Sequence, residues 1–560
     1  QAWFARSFPA AKVYRLFALS NLASLAALVA YPPLIEPAIS LEWQSYAWSA
    51  SYAVFVALCI GSAWIAARHS ASPVPEKASE GENESRPAPG DHVLWLALSA
   101  LGSLLLLAVT NHITQNIASV PFVWILPLAL YLLSFILVFD LGAGRGRSGW
   151  YSRLWGLPAL FALLAAMAYA LYENLGVMRI SYNIALYCAG LFVACMFSHG
   201  ELAALRPAPR YLTRFYLMVS LGGAAGGLFV GMIAPRVFNL FVELPIALAL
   251  AGALAFLLTL RDAPGAGSRA LGYAWPALAF LVTGAVLWYS LEYVRYIRSD
   301  ALLMTRNFYG TLRVKEYERG NEAQPTRALM HGVINHGWQF VDPELRMQPI
   351  SYFGPGSGIA RALQYYDGRP RRVGIVGLGV GSFTAWGRPG DYFRIYELDP
   401  DVVRIAREQF WYLRESQARI DIVTGDGRLS LERDPPQRFD LLSVDAFSSG
   451  SIPIHLLTRE ALRAYRRHLA PGGVIVYNVT NRFVQLAPLL KLVAEAEGMK
   501  VLLLGDSPED EKYSGTEYVL VTENEQLLAD KRFDDAGEIK PIPGLVPWTD
   551  GFNNLFRVVR

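Results

Sequence analysis

The sequence predicts a membrane bundle of α-helices joined to a soluble α/β domain of the doubly wound, Rossmann-like type. The first observation behind this is the charge distribution: residues 1–299 carry 18 basic and 13 acidic residues, whereas residues 300–560 carry 32 and 34. A soluble chain is usually about a quarter charged, so the first part is far too apolar to be soluble. The second observation is that short apolar runs alternate with amphipathic stretches from about residue 370, as in a parallel α/β sheet.

The first part contains eight or nine apolar segments of membrane-spanning length. A bilayer core of about 30 Å needs roughly 20 apolar helical residues. The candidates are residues 13–35, 44–66, 92–112, 119–139, 152–172, 180–198, 212–234, 241–260 and 273–294. We therefore expect a multi-pass protein with the lipid bilayer as one partner.

Basic residues orient this bundle. Lys and Arg lie at the N-terminus and in every second loop, which predicts a cytoplasmic N-terminus. Nine crossings would then leave residues 300–560 outside, although the chemistry inferred below needs a cytosolic metabolite. We expect that the glycine-rich segment 220–235 does not cross, which makes the soluble part cytoplasmic. The alternative for these glycines is close helix packing.

Charge and cysteine content exclude other classes. The net charge of +3 divides into +5 and −2 for the two parts, so no basic field predicts a nucleic-acid partner. Cys59, Cys188 and Cys195 lie in apolar runs without metal-ligand spacing, and we expect them to be buried. We expect a small-molecule substrate and no metal.

The soluble part carries the motifs of a nucleoside site. A β-branched run at 372–379 leads into Gly377-x-Gly379-x-Gly381, and further strands are predicted at 393–397, 421–424, 439–445 and 474–478. A helix is predicted from Asp401 to about Leu413. Glycines let backbone N–H groups approach a ligand where a Cβ would clash.

Acidic residues follow the strands at the same edge. Glu397 ends the second strand, where a carboxylate can accept both ribose hydroxyls. Asp426, in Gly425-Asp426-Gly427, is placed to pair with an adenine amino group. Together they favour an adenosyl-sulfonium ligand over a dinucleotide or no ligand. Asp445, after the fourth strand, is the candidate base; its alternative role is to cap local N–H groups.

Residues 373–481 resemble the spermidine synthase branch of the S-adenosylmethionine-dependent methyltransferase fold. In the first part, Thr110-Asn-His-Ile-Thr-Gln115 and Ser198-His-Gly-Glu201 resemble the membrane-fused spermidine-synthase-like proteins of bacteria. The resemblance implies an inner-membrane enzyme of polyamine biosynthesis that transfers an aminopropyl group to an amine. Its donor would be S-adenosylmethionine or the decarboxylated form, and methylthioadenosine would be released.

The resemblance also implies a domain layout and a set of site residues. The layout is a transmembrane domain at 1–299, a small β-rich domain at 300–368 and a Rossmann-like catalytic domain at 369–560. The catalytic residue would be Asp445, and His331 and Tyr352 would bind substrate. The cofactor contacts would be Gln339, Gly377, Gly379, Gly381, Glu397, Asp426 and Gly427.

Two departures from the family pattern concern the acceptor. Val380 stands where the family has an acid in the glycine loop, and Asp445 is followed by Ala-Phe-Ser-Ser-Gly-Ser instead of reaching a second aspartate. Those acids hold the ammonium groups of a diamine, so this acceptor is in doubt. The alternatives are a lyase that forms methylthioadenosine without an acceptor, a methyltransferase, and a non-catalytic nucleoside-sensing transporter.

Overall fold

The computed structural model describes residues 14–69, 87–117, 122–139, 149–173, 180–208, 211–262, 273–319, 324–332, 334–446, 453–481 and 483–560. The chain forms two compact units and passes from the first to the second between Tyr296 and Ile297. Most of the predicted loop between the second and third apolar segments lies outside the described residues.

The first unit is entirely helical in its described parts. Its α-helices span Tyr14–Ala30, Leu41–His69, Pro89–His112, Ile125–Phe139, Arg153–Tyr172, Ile180–Ala204, Leu212–Leu228, Ala234–Val237, Glu243–Arg261 and Ala274–Ser299. Short π-helical turns at Tyr31–Ile35, Ile113–Ile117 and Phe229–Ile233 extend three of them. Among the described residues, eight helices are long and apolar enough to cross a membrane, and the apolar helix Ile125–Phe139 has only 15 residues.

The glycine-rich segment 220–235 does not break its helix, so the structure gives no support to a re-entrant segment here, and whether this segment crosses the membrane stays a prediction. The helix Leu212–Leu228 continues through a π-helical turn to form one candidate span, Leu212–Val237. A Cβ on Gly222 would lie 2.4 Å from the Leu96 carbonyl oxygen, and one on Gly226 would lie 2.4 Å from that of Ala100. Gly222 and Gly226 therefore serve the alternative role, in which small residues let two helices approach closely, whereas a Cβ on Gly227 or Gly231 would meet nothing within 4 Å.

The helix Leu41–His69 is the least covered part of this unit. None of its described side chains is buried, and Trp43 and Trp48 are each about two-thirds exposed. Cys59 lies on this helix and is exposed, contrary to the expectation, whereas Cys188 and Cys195 are buried. An apolar helix whose side chains the rest of the described chain leaves largely uncovered is what a lipid-facing position would produce.

The second unit begins with a four-stranded antiparallel sheet. Its strands are β1 (Ala301–Asn307), β2 (Gly310–Arg319), β3 (Gln324–His331) and β4 (Ile334–Phe340), in sequential order. A small core of Ala328, Trp338, Phe340 and Ile350 packs on it. This sheet occupies the first part of the region expected to be β-rich.

A seven-stranded sheet forms the rest of this unit. Its strands are β5 (Arg372–Val376), β6 (Tyr392–Glu397), β7 (Arg419–Thr424), β8 (Phe439–Val444), β9 (Leu469–Asn478), β10 (Lys500–Asp506) and β11 (Thr516–Thr522), in the order β10-β11-β9-β8-β5-β6-β7. Strands β5 to β9 pair in parallel, but β11 is antiparallel to both β9 and β10. The sheet is therefore mixed, a correction to the wholly parallel sheet that the sequence predicts.

Helices and short helical turns cover the two faces of this sheet. They span Gly358–Tyr365, Ser382–Trp386, Pro400–Gln409, Tyr412–Glu415, Gly427–Arg433, Ile454–Leu456, Arg459–Arg467, Ala487–Ala496, Glu525–Leu528, Lys531–Phe533 and Leu555–Val558. The helix expected from Asp401 to Leu413 is thus two helices, separated where Phe410 turns into the core. From β5 the chain adds β6 and β7 on one side and β8 on the other. This topological switch point, at the carboxyl ends of the strands, is where open α/β sheets bind ligands.

Candidate active site

A pocket of about 370 Å³ opens at this switch point. It is lined by the ends of β5, β6, β8 and β9, by the glycine loop after β5, and by residues of β3 and β4. Its volume falls in the range typical of small-molecule sites. Nine of the ten residues predicted for the site line this pocket, and Gln339 is the exception.

The glycine loop requires its glycines for geometric reasons. Gly377, Gly379 and Gly381 have φ angles of 102°, 55° and 86°, which side-chain-bearing residues rarely adopt. A Cβ on Gly377 would lie 2.4 Å from the carbonyl oxygen of Asp445, and one on Gly379 would lie 2.6 Å from that of His336. The loop therefore places backbone atoms without side chains at the edge of the pocket.

Glu397 is the last residue of β6 and contacts this loop directly. Its carboxylate accepts hydrogen bonds from the backbone N–H groups of Leu378 and Asp399, both at 2.9 Å. Burial raises the pKa of Glu397, and these two N–H groups offset part of that effect. The same bonds fix the carboxylate at the pocket wall, where the predicted ribose contact would be made.

Asp426 begins the helix Gly427–Arg433. One carboxylate oxygen accepts from Leu429 N–H at 2.8 Å, and the other lies 2.9 Å from His455 Nε2. Gly427 is needed because a Cβ there would lie 2.5 Å from Val376 Cγ1. Sequence reasoning missed His455, which lies 29 residues from Asp426 and also lines the pocket. A ligand amino group at Asp426 would compete with this imidazole.

Asp445 lies directly after β8 and lines the pocket. Its Oδ1 accepts a 3.0 Å hydrogen bond from the amide of Asn478, the last residue of β9. Burial raises the pKa of Asp445 to about 7, and the Asn478 bond lowers it in part. A carboxyl group with this pKa is matched to proton transfer near neutral pH. Asn478 was also missed, although a polar residue at the end of an adjacent parallel strand is a recognisable signal.

Tyr352 and His331, the two predicted substrate contacts, also line this pocket. Burial, with Asp445 nearby, raises the pKa of the Tyr352 hydroxyl. The rings of His331 and His336 lie 5.3 Å apart, and the Nε2 atom of each has no hydrogen-bond partner in the described part of the chain. Burial lowers the pKa of both, that of His336 to about 3, so both imidazoles are neutral at pH 7.

Gln339 is not brought to the pocket. It is fully buried, its amide donates to the Arg346 carbonyl at 2.9 Å, and its oxygen accepts from Trp411 N–H at 2.9 Å. Both ends of the side chain thus connect β4 to neighbouring loops. The amide residue of β4 that lines the pocket is Asn335. The geometry therefore gives no support to the predicted cofactor contact of Gln339.

Polar residues of the helical unit form contacts between helices. Glu201 accepts from the Tyr151 hydroxyl at 2.9 Å and from Arg153 Nε at 2.7 Å. His199 Nδ1 lies 2.8 Å from the Ser134 hydroxyl, and Ser198 donates to the Leu98 carbonyl. These bonds correspond to helix–helix contacts of the kind that stabilise apolar bundles.

Two relatives that match part of the chain in sequence are polyamine aminopropyltransferases. No family model matches the chain. The chain is 36% identical over 118 residues to a polyamine aminopropyltransferase of Vibrio vulnificus (strain CMCP6), a match that covers 20% of this chain and 39% of that protein. It is 31% identical over 136 residues to a polyamine aminopropyltransferase of Nitrosomonas europaea, covering 23% and 41%. The chain thus spans about two fifths of the length of these relatives.

The predicted resemblance to polyamine aminopropyltransferases is confirmed over these stretches. Among solved structures, a spermidine synthase from Thermotoga maritima is 17% identical with a TM-score of 0.29, and the overlap covers 42% of this chain and 76% of that one. A probable spermidine synthase from Corynebacterium glutamicum is 18% identical with a TM-score of 0.30, covering 39% and 79%. The Rossmann-like character of the second unit rests on its own strand order.

Proposed function

We propose that this chain is a membrane-bound aminopropyltransferase that uses decarboxylated S-adenosylmethionine and releases methylthioadenosine. The observation that carries the proposal is one pocket in which the glycine loop, Glu397 and Asp426 accompany a buried carboxyl group, Asp445, whose pKa is raised to about 7. The named aminopropyltransferases that match part of the chain support the same chemistry.

The charges of the pocket favour the decarboxylated donor. Its described lining includes four carboxylates, those of Glu397, Asp399, Asp426 and Asp445, and no Lys or Arg. A sulfonium and an ammonium group suit this negative lining. The α-carboxylate of intact S-adenosylmethionine would find no cationic side chain there.

The proposed reaction is a nucleophilic displacement at carbon. The amine nitrogen bonds to the aminopropyl carbon next to sulfur, the carbon–sulfur bond breaks, and its electron pair neutralises the sulfonium. Asp445 takes the proton that the amine loses, and Asn478 holds the carboxylate in place. Glu397 and Asp426 would fix the nucleoside, so that the reacting carbon is oriented toward the amine.

Product identification tests this proposal directly. Purified full-length protein is incubated with decarboxylated or intact S-adenosylmethionine, each with and without a panel of monoamines and diamines, and the nucleosides are separated by chromatography. We expect methylthioadenosine from the decarboxylated donor only when an amine is present. Asp445→Asn should abolish it. The matched control is Asp535→Asn, which removes an exposed carboxylate paired with Arg361.

The other outcomes would contradict the proposal in distinct ways. Methylthioadenosine made from the intact donor without amine identifies a lyase. S-adenosylhomocysteine identifies methyl transfer. Donor binding without any turnover identifies a sensor or transporter domain.

The helical unit supports a membrane location for this protein. In the described part of the chain, eight helices of sufficient length and apolar composition are compatible with a multi-pass protein of the inner membrane. We place the second unit in the cytoplasm, because S-adenosylmethionine and its derivatives are cytosolic metabolites.

A further inference from the structure

A buried arginine connects three segments of the second unit. Arg428 lies in the first turn of the helix Gly427–Arg433 and is only 8% exposed. Its guanidinium donates to the His455 carbonyl at 2.7 Å and to the Thr458 hydroxyl at 3.1 Å. It also donates to both carboxylate oxygens of Asp550, at 2.7 and 2.6 Å. Arg428 therefore joins its own helix to the segment that carries His455 and to the segment that carries Asp550.

Asp550 is fixed by further contacts of its own. Its Oδ1 also accepts a 2.8 Å hydrogen bond from the Thr458 hydroxyl, and its backbone N–H donates to Glu460 Oε2 at 2.9 Å. A bidentate arginine–carboxylate pair is both strong and directional. Hydrogen bonds from Arg428 hold the pKa of Asp550 below its usual range, so this carboxylate is ionised at neutral pH. The pair therefore keeps the guanidinium in one orientation.

The segments that Arg428 joins both contribute to the pocket wall. Asp426, directly before the helix, lines the pocket, and so do His455 and Leu456. His455 Nε2 lies 2.9 Å from Asp426 Oδ2, so the two parts of the wall meet at this contact. The base of the nucleoside would bind at this end of the pocket. Asp550 is not among the described residues that line it, so its effect on a ligand has to pass through Arg428.

Resting on the proposed function, we infer that Asp550 is a positioning residue for the nucleoside donor. Through Arg428 it fixes Asp426 and the segment around His455 relative to each other. A bound base needs the carboxylate and the packed wall at a fixed separation, because hydrogen bonds weaken steeply when their distance and angle change. This separation sets both the affinity for the donor and the selectivity for its base.

The surroundings of Arg428 determine what loss of the Asp550 carboxylate should do. Arg428 Nε would keep Glu432 as a charged partner at 2.8 Å, so the buried guanidinium is not left without a counter-charge. Its Nη1 and Nη2 would lose the carboxylate that orients them, and the segment around His455 would be less firmly held. The chemical step should be spared, because Asp445 is held by Asn478 of another strand.

Binding of methylthioadenosine to the full-length protein in detergent, measured by calorimetry, tests this inference. We expect Asp550→Asn to raise its Kd and the KM of the donor by about tenfold, with kcat within about twofold of the unmodified protein. The control Asp535→Asn, which removes an exposed carboxylate paired with Arg361, should leave Kd unchanged. An unchanged Kd in Asp550→Asn overturns the inference alone. If the unmodified protein does not bind methylthioadenosine, the proposed function itself fails.

Base selectivity separates positioning from a general loss of stability. Methylthioinosine carries an oxygen in place of the 6-amino group, so a carboxylate at Asp426 should disfavour it. We expect the unmodified protein to prefer methylthioadenosine by at least about tenfold, and Asp550→Asn to reduce this preference by about threefold or more. Arg428→Lys, which keeps the charge without the bidentate geometry, should reduce it in the same direction. The preference is a ratio within one protein and does not depend on the folded fraction, so an unchanged preference in these variants would contradict the positioning role.

Discussion

At the scale of single residues, Asp445 is the side chain on which the proposed chemistry depends. Burial raises its pKa to about 7, whereas an aspartate in water titrates near 4. A base works only when ionised, so a raised pKa means that activity is lost as the pH falls through about 7.

We therefore predict an acid limit near neutral pH. The value of kcat/KM should fall about tenfold per pH unit below pH 7, after correction for the protonation of the amine. Initial rates between pH 5.5 and 9, with methylthioadenosine as readout, would measure it. A profile that stays level down to pH 5 would contradict the role of Asp445 as base.

Asn478 acts on the same group as a positioning residue. Its amide donates to Asp445 and stabilises the charged carboxylate. We predict that Asn478→Ala lowers kcat and shifts the acid limit to higher pH, because the ionised form loses its hydrogen bond. Asn524→Ala, which removes an amide cap outside the pocket, is the control. If Asn478→Ala leaves the pH profile unchanged, the contact between Asn478 and Asp445 has only a structural role.

The residues of β4 show that sequence spacing alone does not determine which side chains line the pocket. Gln339 and Asn335 are four positions apart, which in a regular strand places both on one face. Gly337 between them has φ of 120°, and the β3–β4 register shifts nearby. The regular alternation is therefore lost, and Asn335 lines the pocket while Gln339 is buried elsewhere.

At the scale of elements, the helix Leu212–Leu228 shows how glycines act in the bundle. Gly222 and Gly226 face the helix Pro89–His112, and their missing side chains allow close contact with its carbonyl groups. Gly227 is adjacent in sequence but has open space around its Cβ position. The two kinds of glycine should therefore respond differently to the same substitution.

We predict that Gly226→Ala lowers the stability of the protein by about 1–3 kcal/mol, because the new methyl group would overlap the Ala100 carbonyl. Gly227→Ala should be neutral or stabilising by about 0.5–1 kcal/mol, because alanine favours the helix. Thermal unfolding of both variants in the same detergent would measure the difference. Equal midpoints would contradict this packing.

At the scale of the whole molecule, the number of crossings decides where the proposed catalytic unit lies. A continuous span at Leu212–Val237 leaves nine apolar helices in the described chain. The helix Ile125–Phe139, about 22 Å long at 1.5 Å per residue, is shorter than the apolar core of a bilayer. If it does not cross, eight helices do, and both ends of the chain are cytoplasmic. The loops at 140–153, 205–214 and 261–273 would then lie outside with their basic residues, against the charge rule; these residues are Arg145, Arg147, Arg153, Arg206, Arg210, Arg214, Arg261 and Arg269.

Two measurements, each on its own variant, separate these possibilities. We predict that a reporter fused after Arg560 is active in the cytoplasm and that Ser152→Cys is labelled by an impermeant reagent from outside. Cys59→Ser is included in both proteins, because Cys59 is exposed. An external reporter together with a protected Cys at position 152 would instead show nine crossings and would contradict a cytoplasmic catalytic unit.

Much of the second unit could be read from local pattern. The strands β5 to β9, the glycine loop and the acids that follow strand ends were all predictable, because strand period and chain reversal are local properties. Parallel strands place their carboxyl ends at one edge, so Gly377, Glu397, Asp426 and Asp445 had to converge. The antiparallel β11 was not predictable, because strand direction depends on pairing between distant segments.

The sequence by itself determined that the chain has an apolar helical part and an α/β part with a glycine loop, because charge density and hydrophobic period are properties of composition and local order. Tertiary structure decided which side chains share the pocket. Asn478 meets Asp445 across 33 positions and His455 meets Asp426 across 29, while the glycines at 222 and 226 serve helix contact instead of a break. Such pairings follow from packing between distant segments, and no local pattern encodes them.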